Sequence, residues 1–298
     1  MHPTAYSIRN PAKINVGLRV LSRRSDGFHN IETIFYPVRI FDEITLTISV
    51  SDTPQNNIRI KTEPSISIAP DDNICQKAIE KFFDKYNIPS VYNIDVDIKK
   101  VIPVGGGLGG GSSDAASILE ILALHFREKI ETRYIMQRIA MKLGSDVSYF
   151  ISKSTPSNIK ILSSLYPQPA YASSRGEKLK FIPGFHIGYK ILIVNPGITV
   201  STAWAYGELN LQIEKPALLR KIRQFRKENL RLFTNDFEEI VFRRFPVIKE
   251  IKENMLDLGA SFSSMSGSGS SVYGFFDEQK FENARSFFIN TGYSVFKS

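Results

Sequence analysis

The chain has 298 residues, 42% of them hydrophobic and 23% charged, and its 38 Lys and Arg outweigh 30 Asp and Glu to give a formal charge of +8. This composition excludes disordered, collagenous and disulfide-framework classes, and the length supports one large or two intimate domains burying roughly 75% of the unfolded surface. The basic residues are dispersed, so the charge leaves nucleic acid, a membrane surface and phosphorylated small molecules all open as partners.

Met1 to Lys13 holds no apolar run of signal-peptide length, and no stretch is long and apolar enough to span a bilayer. With Cys75 as the single cysteine, the expectation is a soluble protein of the reducing cytoplasm that does not engage a membrane.

Lys13 to Val20 alternates, which predicts a strand burying Ile14, Val16, Leu18 and Val20 and leaving Lys13 and Asn15 on the opposite face. A polar turn, Ser22 to Gly27, leads into strands at Phe28–Tyr36 and Glu43–Val50. Asp71 or Asp72 is placed to cap a helix to about Tyr86, and Tyr92–Lys100 alternates again. After the glycine run at 105–111 come helices at Ala115–Leu124 and Arg133–Leu143, the second ended by Gly144.

Between about Ser152 and Phe185 the signals weaken into Ser, Pro and Gly, which suggests a boundary between domains at 1–160 and 161–298. Beyond it the pattern predicts a strand at Ile187–Val194, then helices near Ser201–Leu209, Pro216–Asn229, Asp236–Phe245 and Pro246–Leu258. A strand, a Gly/Ser loop, a strand at Ser271–Phe276, a helix at Glu278–Asn290 and a strand at Tyr293–Phe296 follow. The fold class is therefore α+β, and this last order suits a ferredoxin-like split βαβ domain.

Six glycines in the seven residues Gly105 to Gly111 are too costly in backbone entropy to serve packing. A strand, a glycine run and then Ser112-Ser113 opening a helix turns bare N–H groups and the positive helix end toward an anion, which is how a phosphate cradle is built. Gly105, Gly107 and Gly110 satisfy G-x-G-x-x-G. However, the loop follows a mainly β segment rather than opening a parallel βαβ unit, no His-Arg-Asp or Asp-Phe-Gly follows, and no Gly-Lys-Ser/Thr follows the glycines. Rossmann, protein-kinase and Walker A loops are all set aside.

Pro103 to Ala116 (Pro-Val-Gly-Gly-Gly-Leu-Gly-Gly-Gly-Ser-Ser-Asp-Ala-Ala) resembles the ATP loop of the GHMP kinases. Pro11-Ala12-Lys13-Ile14-Asn15 and Met265-Ser266-Gly267-Ser268-Gly269 resemble the family's Lys-bearing strand and its C-terminal glycine loop, in the same order and across nearly the whole chain. Within the family, the block Arg24 to Phe35 and Leu143-Gly144-Ser145-Asp146-Val147 are similar to the member that passes the ATP γ-phosphoryl to the 2-hydroxyl of a CDP-linked methylerythritol in non-mevalonate isoprenoid synthesis.

The resemblance implies a GHMP kinase two-domain fold, a ribosomal-protein-like N-terminal domain followed by the ferredoxin-like one. It implies Lys13 and Asp146 as catalytic residues, since phosphoryl transfer needs mainly alignment and charge neutralisation. It places ATP on Pro103, Val104, Gly105, Gly106, Gly107, Leu108, Gly109, Gly110, Gly111, Ser112 and Ser113, on Ser266, Gly267, Ser268 and Gly269, and on Asn73 in an adenine pocket. On the substrate side it places Phe28 and Tyr206 about a cytosine whose edge meets His29, with Asn15, Thr202 and Lys100 as further contacts.

Mg²⁺ is implied because ATP arrives as its magnesium salt. Ser112 or Ser113 is within reach of it, and no acidic cluster of metal spacing identifies ligands. The partners are then ATP and a CDP-linked small molecule, with no nucleic acid, acting on a monomer or homodimer. Two rivals stand at this point, a GHMP kinase acting on homoserine or mevalonate and a basic nucleic-acid-binding protein.

Overall fold

The computed structural model describes residues 3–66, 69, 72–86, 88, 91–126, 133–151, 166–210 and 227–298. The described chain forms two compact units: residues 1–11, 41–102 and 110–167 make the first, and residues 12–40, 103–109 and 168–298 make the second. Strands β1 (Thr4–Arg23) and β2 (His29–Val50) pair with each other and run through both.

In the first unit, Glu43–Val50 of β2 pairs antiparallel with β4 (Tyr92–Lys99), which takes β3 (Asn57–Glu63) in parallel on its other side. Helices α1 (Ile74–Tyr86), α2 (Gly110–His125), α3 (Arg133–Leu143) and α4 (Ser145–Ile151) pack together beside it. From Ser113 to Ala123 every residue of α2 is buried, so this helix has no solvent face and its Ala, Ile and Leu side chains form the unit's core. It begins at Gly110, inside the glycine run, several residues before the apolar pattern becomes readable.

In the second unit, Ile31–Phe35 of β2 pairs with β5 (Ala170–Ser174), which turns back into β6 (Lys178–Phe181). A separate four-stranded sheet has the order β10 (Ser294–Lys297), β7 (Lys190–Asn195), β9 (Val272–Phe276), β8 (Phe262–Met265), all neighbours antiparallel. Helices α7 (Pro246–Asp257) and α8 (Glu278–Ile289) pack on it, which is the split-βαβ arrangement that the order of elements led us to expect. Helices α5 (Thr202–Gly207) and α6 (Glu238–Arg244) and a short 3₁₀ helix, Lys227–Leu232, complete the described elements.

The expected helix at 216–229 falls for the most part on residues outside those described, as does the 152–165 part of the expected boundary region. Several elements differ from the sequence reading: β2 runs unbroken from His29 to Val50, and β3, β5 and β6 are strands that the reading does not include. Every residue of β1 from Asn10 to Val20 is buried, so Lys13 and Asn15 do not stand on a solvent face as strand alternation predicts; the strand is covered on both sides.

Candidate active site

Two glycine loops meet in the second unit. The first, residues 103–109, presents Gly107 with φ +75°, where an added Cβ would lie 2.0 Å from the Ser266 carbonyl oxygen. Only a residue without Cβ fits both the left-handed backbone and the close approach. Gly267 in turn lies against the Gly107 Cα, at 3.3 Å from the position of its own missing Cβ. The Ser271 N–H donates to the Gly106 carbonyl at 3.1 Å, and the Ser266 hydroxyl donates to the Gly107 carbonyl at 2.9 Å.

Lys13 sits at this joint. Its N–H donates to the Leu108 carbonyl at 2.9 Å, and its ammonium reaches the Gly107 carbonyl at 3.1 Å and the Asn15 Oδ1 at 2.6 Å. The Nζ also lies 5.4 Å over the Phe35 ring. Asn15, an expected substrate contact, is held by internal hydrogen bonds. Besides Lys13 it donates from Nδ2 to the Thr33 hydroxyl at 3.0 Å and from its N–H to the Ser266 hydroxyl at 3.1 Å, and its carbonyl accepts from Tyr273 at 3.0 Å. At 3% exposure Asn15 serves as a girder under Lys13.

Asn235, which drew no notice in the sequence, steadies the second loop. The segment 234–236 joins β1 through a parallel bridge at Leu18, and the buried Asn235 amide donates to the Met265 and Gly267 carbonyls at 2.7 and 2.8 Å. Its only sequence signal is an Asx residue in Thr234-Asn235-Asp236, a pattern shared by many turns. Thr202, the first residue of α5, links to the same loop by a 2.9 Å contact with the Ser268 hydroxyl.

The aromatic group differs in detail from expectation. His29 stacks on Tyr206, with ring centroids 4.6 Å apart and 16° between planes, and Tyr206 is braced edge-on by Phe237. Phe28 is 54% exposed, and the Arg175 guanidinium covers its ring at 4.6 Å. Phe28 and His29 diverge because they are adjacent at the opening of a strand, so Tyr206 has His29 rather than Phe28 near its face. Burial, with the charge of Arg23 second, lowers the His29 pKa and keeps its imidazole neutral near pH 7.

In the first unit, Gly110 and Gly111 open α2, followed by Ser112 and the buried Ser113, whose hydroxyl has no hydrogen-bond partner. Asn73 accepts from the N–H groups of Cys75 and Gln76 at the start of α1, and it lines a cavity of about 330 Å³ with Ile60, Lys61, Thr62, Ser65 and Ile66. Asp146 occupies the first turn of α4.

Lys100 is not a solvated strand-end lysine. Its ammonium lies 2.5 Å from Asp42 and 2.7 Å from Asp114, both buried, and Asp42 also accepts from the N–H groups of Val101 and Ile102. Asn10 donates to the other oxygen of Asp114. With two carboxylates around it, Lys100 fastens the strand before the loop to the first turn of α2.

No helix among the described residues is long and apolar enough to cross a membrane, and no cluster of three or more His, Cys, Asp or Glu among them forms a metal cage.

Comparison with known proteins gives a consistent result. Models of the GHMP kinases match twice, the N-terminal domain at residues 73–154 and the C-terminal domain at 215–294. The chain is 38% identical over 271 residues to 4-diphosphocytidyl-2-C-methyl-D-erythritol kinase of Syntrophotalea carbinolica, covering 90% of this chain and 88% of that protein. It is 34% identical over 279 residues to the protein of that name from Prosthecochloris aestuarii, covering 92% and 90%. A crystal structure of 4-(cytidine 5'-diphospho)-2C-methyl-D-erythritol kinase superposes with a TM-score of 0.72 at 25% identity, over 98% of this chain and 97% of that one.

Proposed function

The chain belongs to the 4-diphosphocytidyl-2-C-methyl-D-erythritol kinases of the GHMP family, and on that premise we propose how its residues divide the work of phosphoryl transfer. It is an ATP-dependent small-molecule kinase of the non-mevalonate isoprenoid pathway that phosphorylates the substrate's 2-hydroxyl. The hydroxyl oxygen forms a bond to the γ-phosphorus, the bond from that phosphorus to the β,γ-bridging oxygen breaks, and the hydroxyl proton leaves.

The observation that carries the residue assignment is the Lys13 ammonium fixed at the joint of two interlocked glycine loops. A cation held there by a side-chain amide and a backbone carbonyl is preorganised to offset charge that develops on the transferring group. The backbone N–H groups of Gly105–Gly111 and Ser266–Gly269 hold the phosphates, with Ser112 and Ser113 opening α2 at its positive end. Asp146 receives or orients the hydroxyl proton.

The cavity beside Asn73 takes the adenine, with β3 supplying its wall at Ile60 to Thr62. Cytosine enters against Tyr206 in place of the His29 ring, with Phe28 as the second aromatic. The neutral His29 then turns to the base edge, where one ring nitrogen accepts from an exocyclic amine. Mg²⁺ bound to the ATP phosphates would neutralise charge there. Ser112 and the unpartnered Ser113 hydroxyl are the chain's own oxygens placed for it, and together they suit a metal carried in on nucleotide rather than one caged by protein.

The two family matches fall on either side of residue 160, in keeping with domains at 1–160 and 161–298, although the compact units interleave these ranges, with residues 12–40 and 103–109 in the second. The free, buried Cys75 suits a reducing cytoplasm.

Two substitutions test the assignment. Lys13→Met and Asp146→Asn each lower kcat by at least about a hundredfold while ATP still raises the melting temperature. Near-wild-type turnover of either variant removes that residue from the mechanism.

A further inference from the structure

We infer that Thr33 is a positioning residue for phosphoryl transfer, acting through the orientation of the Asn15 amide. The inference rests on the reading of Lys13 as catalytic and goes one layer beyond it. Thr33 is fully buried on β2, and its hydroxyl donates to the Gly17 carbonyl at 2.6 Å. A hydroxyl has one proton, so with that proton committed the Thr33 oxygen faces Asn15 only as an acceptor. The Asn15 Nδ2 donates to it at 3.0 Å, and the Asn15 Oδ1 is thereby turned to the Lys13 ammonium at 2.6 Å.

The consequence follows from the two ends of a carboxamide. Rotated by 180°, Asn15 would point its NH₂ group at the ammonium, donor against donor, and Lys13 would lose its closest acceptor. In the observed order each donor meets an acceptor, from Lys13 through Asn15 and Thr33 to Gly17. The polarity of this chain is set at the far end, by the Gly17 carbonyl, which accepts and cannot donate. Gly17 has φ +67°, a left-handed backbone on a strand otherwise buried on both faces. A buried relay of this kind, with every member satisfied, holds its terminal group more tightly than separate pairs would.

Thr33→Val keeps the shape and the strand preference but removes both the acceptor for Asn15 and the donor to Gly17. We expect kcat to fall about 10- to 100-fold, the scale of a misplaced catalytic group, with KM for ATP and for the CDP-linked substrate within about twofold. Thr33→Ser, which keeps the hydroxyl, restores kcat to within about threefold of wild type. If Thr33→Val does not fold, Thr33→Ala is read by the same criteria.

The decisive comparison is in a Lys13→Met background, where Thr33→Val should lower the residual rate no further, because the group it positions is gone. A merely structural loss would lower both backgrounds equally, and that result overturns the inference. So does wild-type kcat for Thr33→Val beside an inactive Lys13→Met, which leaves the reading of Lys13 standing. Wild-type turnover by Lys13→Met itself overturns that reading and this inference with it.

Discussion

At the scale of single residues the site depends on close approach and on protonation state. Gly107→Ala would drive a methyl group to 2.0 Å from the Ser266 carbonyl oxygen at a φ of +75°. We expect a loss of at least about 2 kcal/mol of stability and of most ATP-dependent turnover, read by thermal melting and by ADP release. Wild-type behaviour of this variant would show that the two glycine loops need not touch.

His29 gives a pH test. Its pKa is lowered by burial first and then by Arg23, so the neutral ring that accepts from a base edge persists below the ordinary histidine range. The KM for the CDP-linked substrate should therefore rise toward acid at a lower pH than an ordinary histidine would give. His29→Gln should lose that acidic rise. A wild-type KM that climbs between pH 8 and 7 contradicts the assignment.

At the scale of elements, the clasp of Lys100, Asp42 and Asp114 ties the end of β4 to the start of α2. Burial, opposed by Lys100 and reinforced by Asp42, holds the Asp114 carboxyl above its usual range. The folded state thus keeps a proton that the unfolded state releases near pH 4, and the contribution of Asp114 to stability is lost as pH rises from there through its raised value. Asp114→Asn removes that titration. Its stability relative to wild type should therefore rise progressively as the pH goes from about 4 to 8, read by thermal melting. A pH-independent difference between the two would contradict the shift.

The elements also show what the sequence made legible. The ββαβ order at the C-terminal end could be read because strand alternation and the apolar faces of α7 and α8 are strong there. Strand β3 is harder to read because its alternating Ile58 and Ile60 are only half-buried and their neighbours are charged or polar, so its parallel pairing with β4 marks it more clearly than its pattern does. The hairpin of β5 and β6 was hidden among Ser, Pro and Gly, and its turn uses Ser174 and Gly176 at positive φ.

The glycine loops, Lys13 and Asn15 were legible as motifs, whereas the contacts that join them were not. Asn235 and Thr33 act through contacts over long chain separations, 32 residues from Asn235 to Gly267 and 18 from Thr33 to Asn15, and a single sequence carries no local signal of such pairings. The burial of Lys13 and Asn15 was likewise invisible, because alternation reports one covered face and β1 is covered on both.

At the scale of the whole molecule, the charge of +8 that first left several polyanions open suits two phosphate-bearing ligands, the triphosphate of ATP and the diphosphate of the CDP-linked polyol. The most direct test of the account is the rate of ADP formation from ATP with 4-diphosphocytidyl-2-C-methyl-D-erythritol as acceptor, measured beside homoserine and mevalonate under identical conditions. The account predicts turnover with the CDP-linked acceptor and none above background with the other two. Turnover with homoserine or mevalonate, and none with the CDP-linked acceptor, would contradict it.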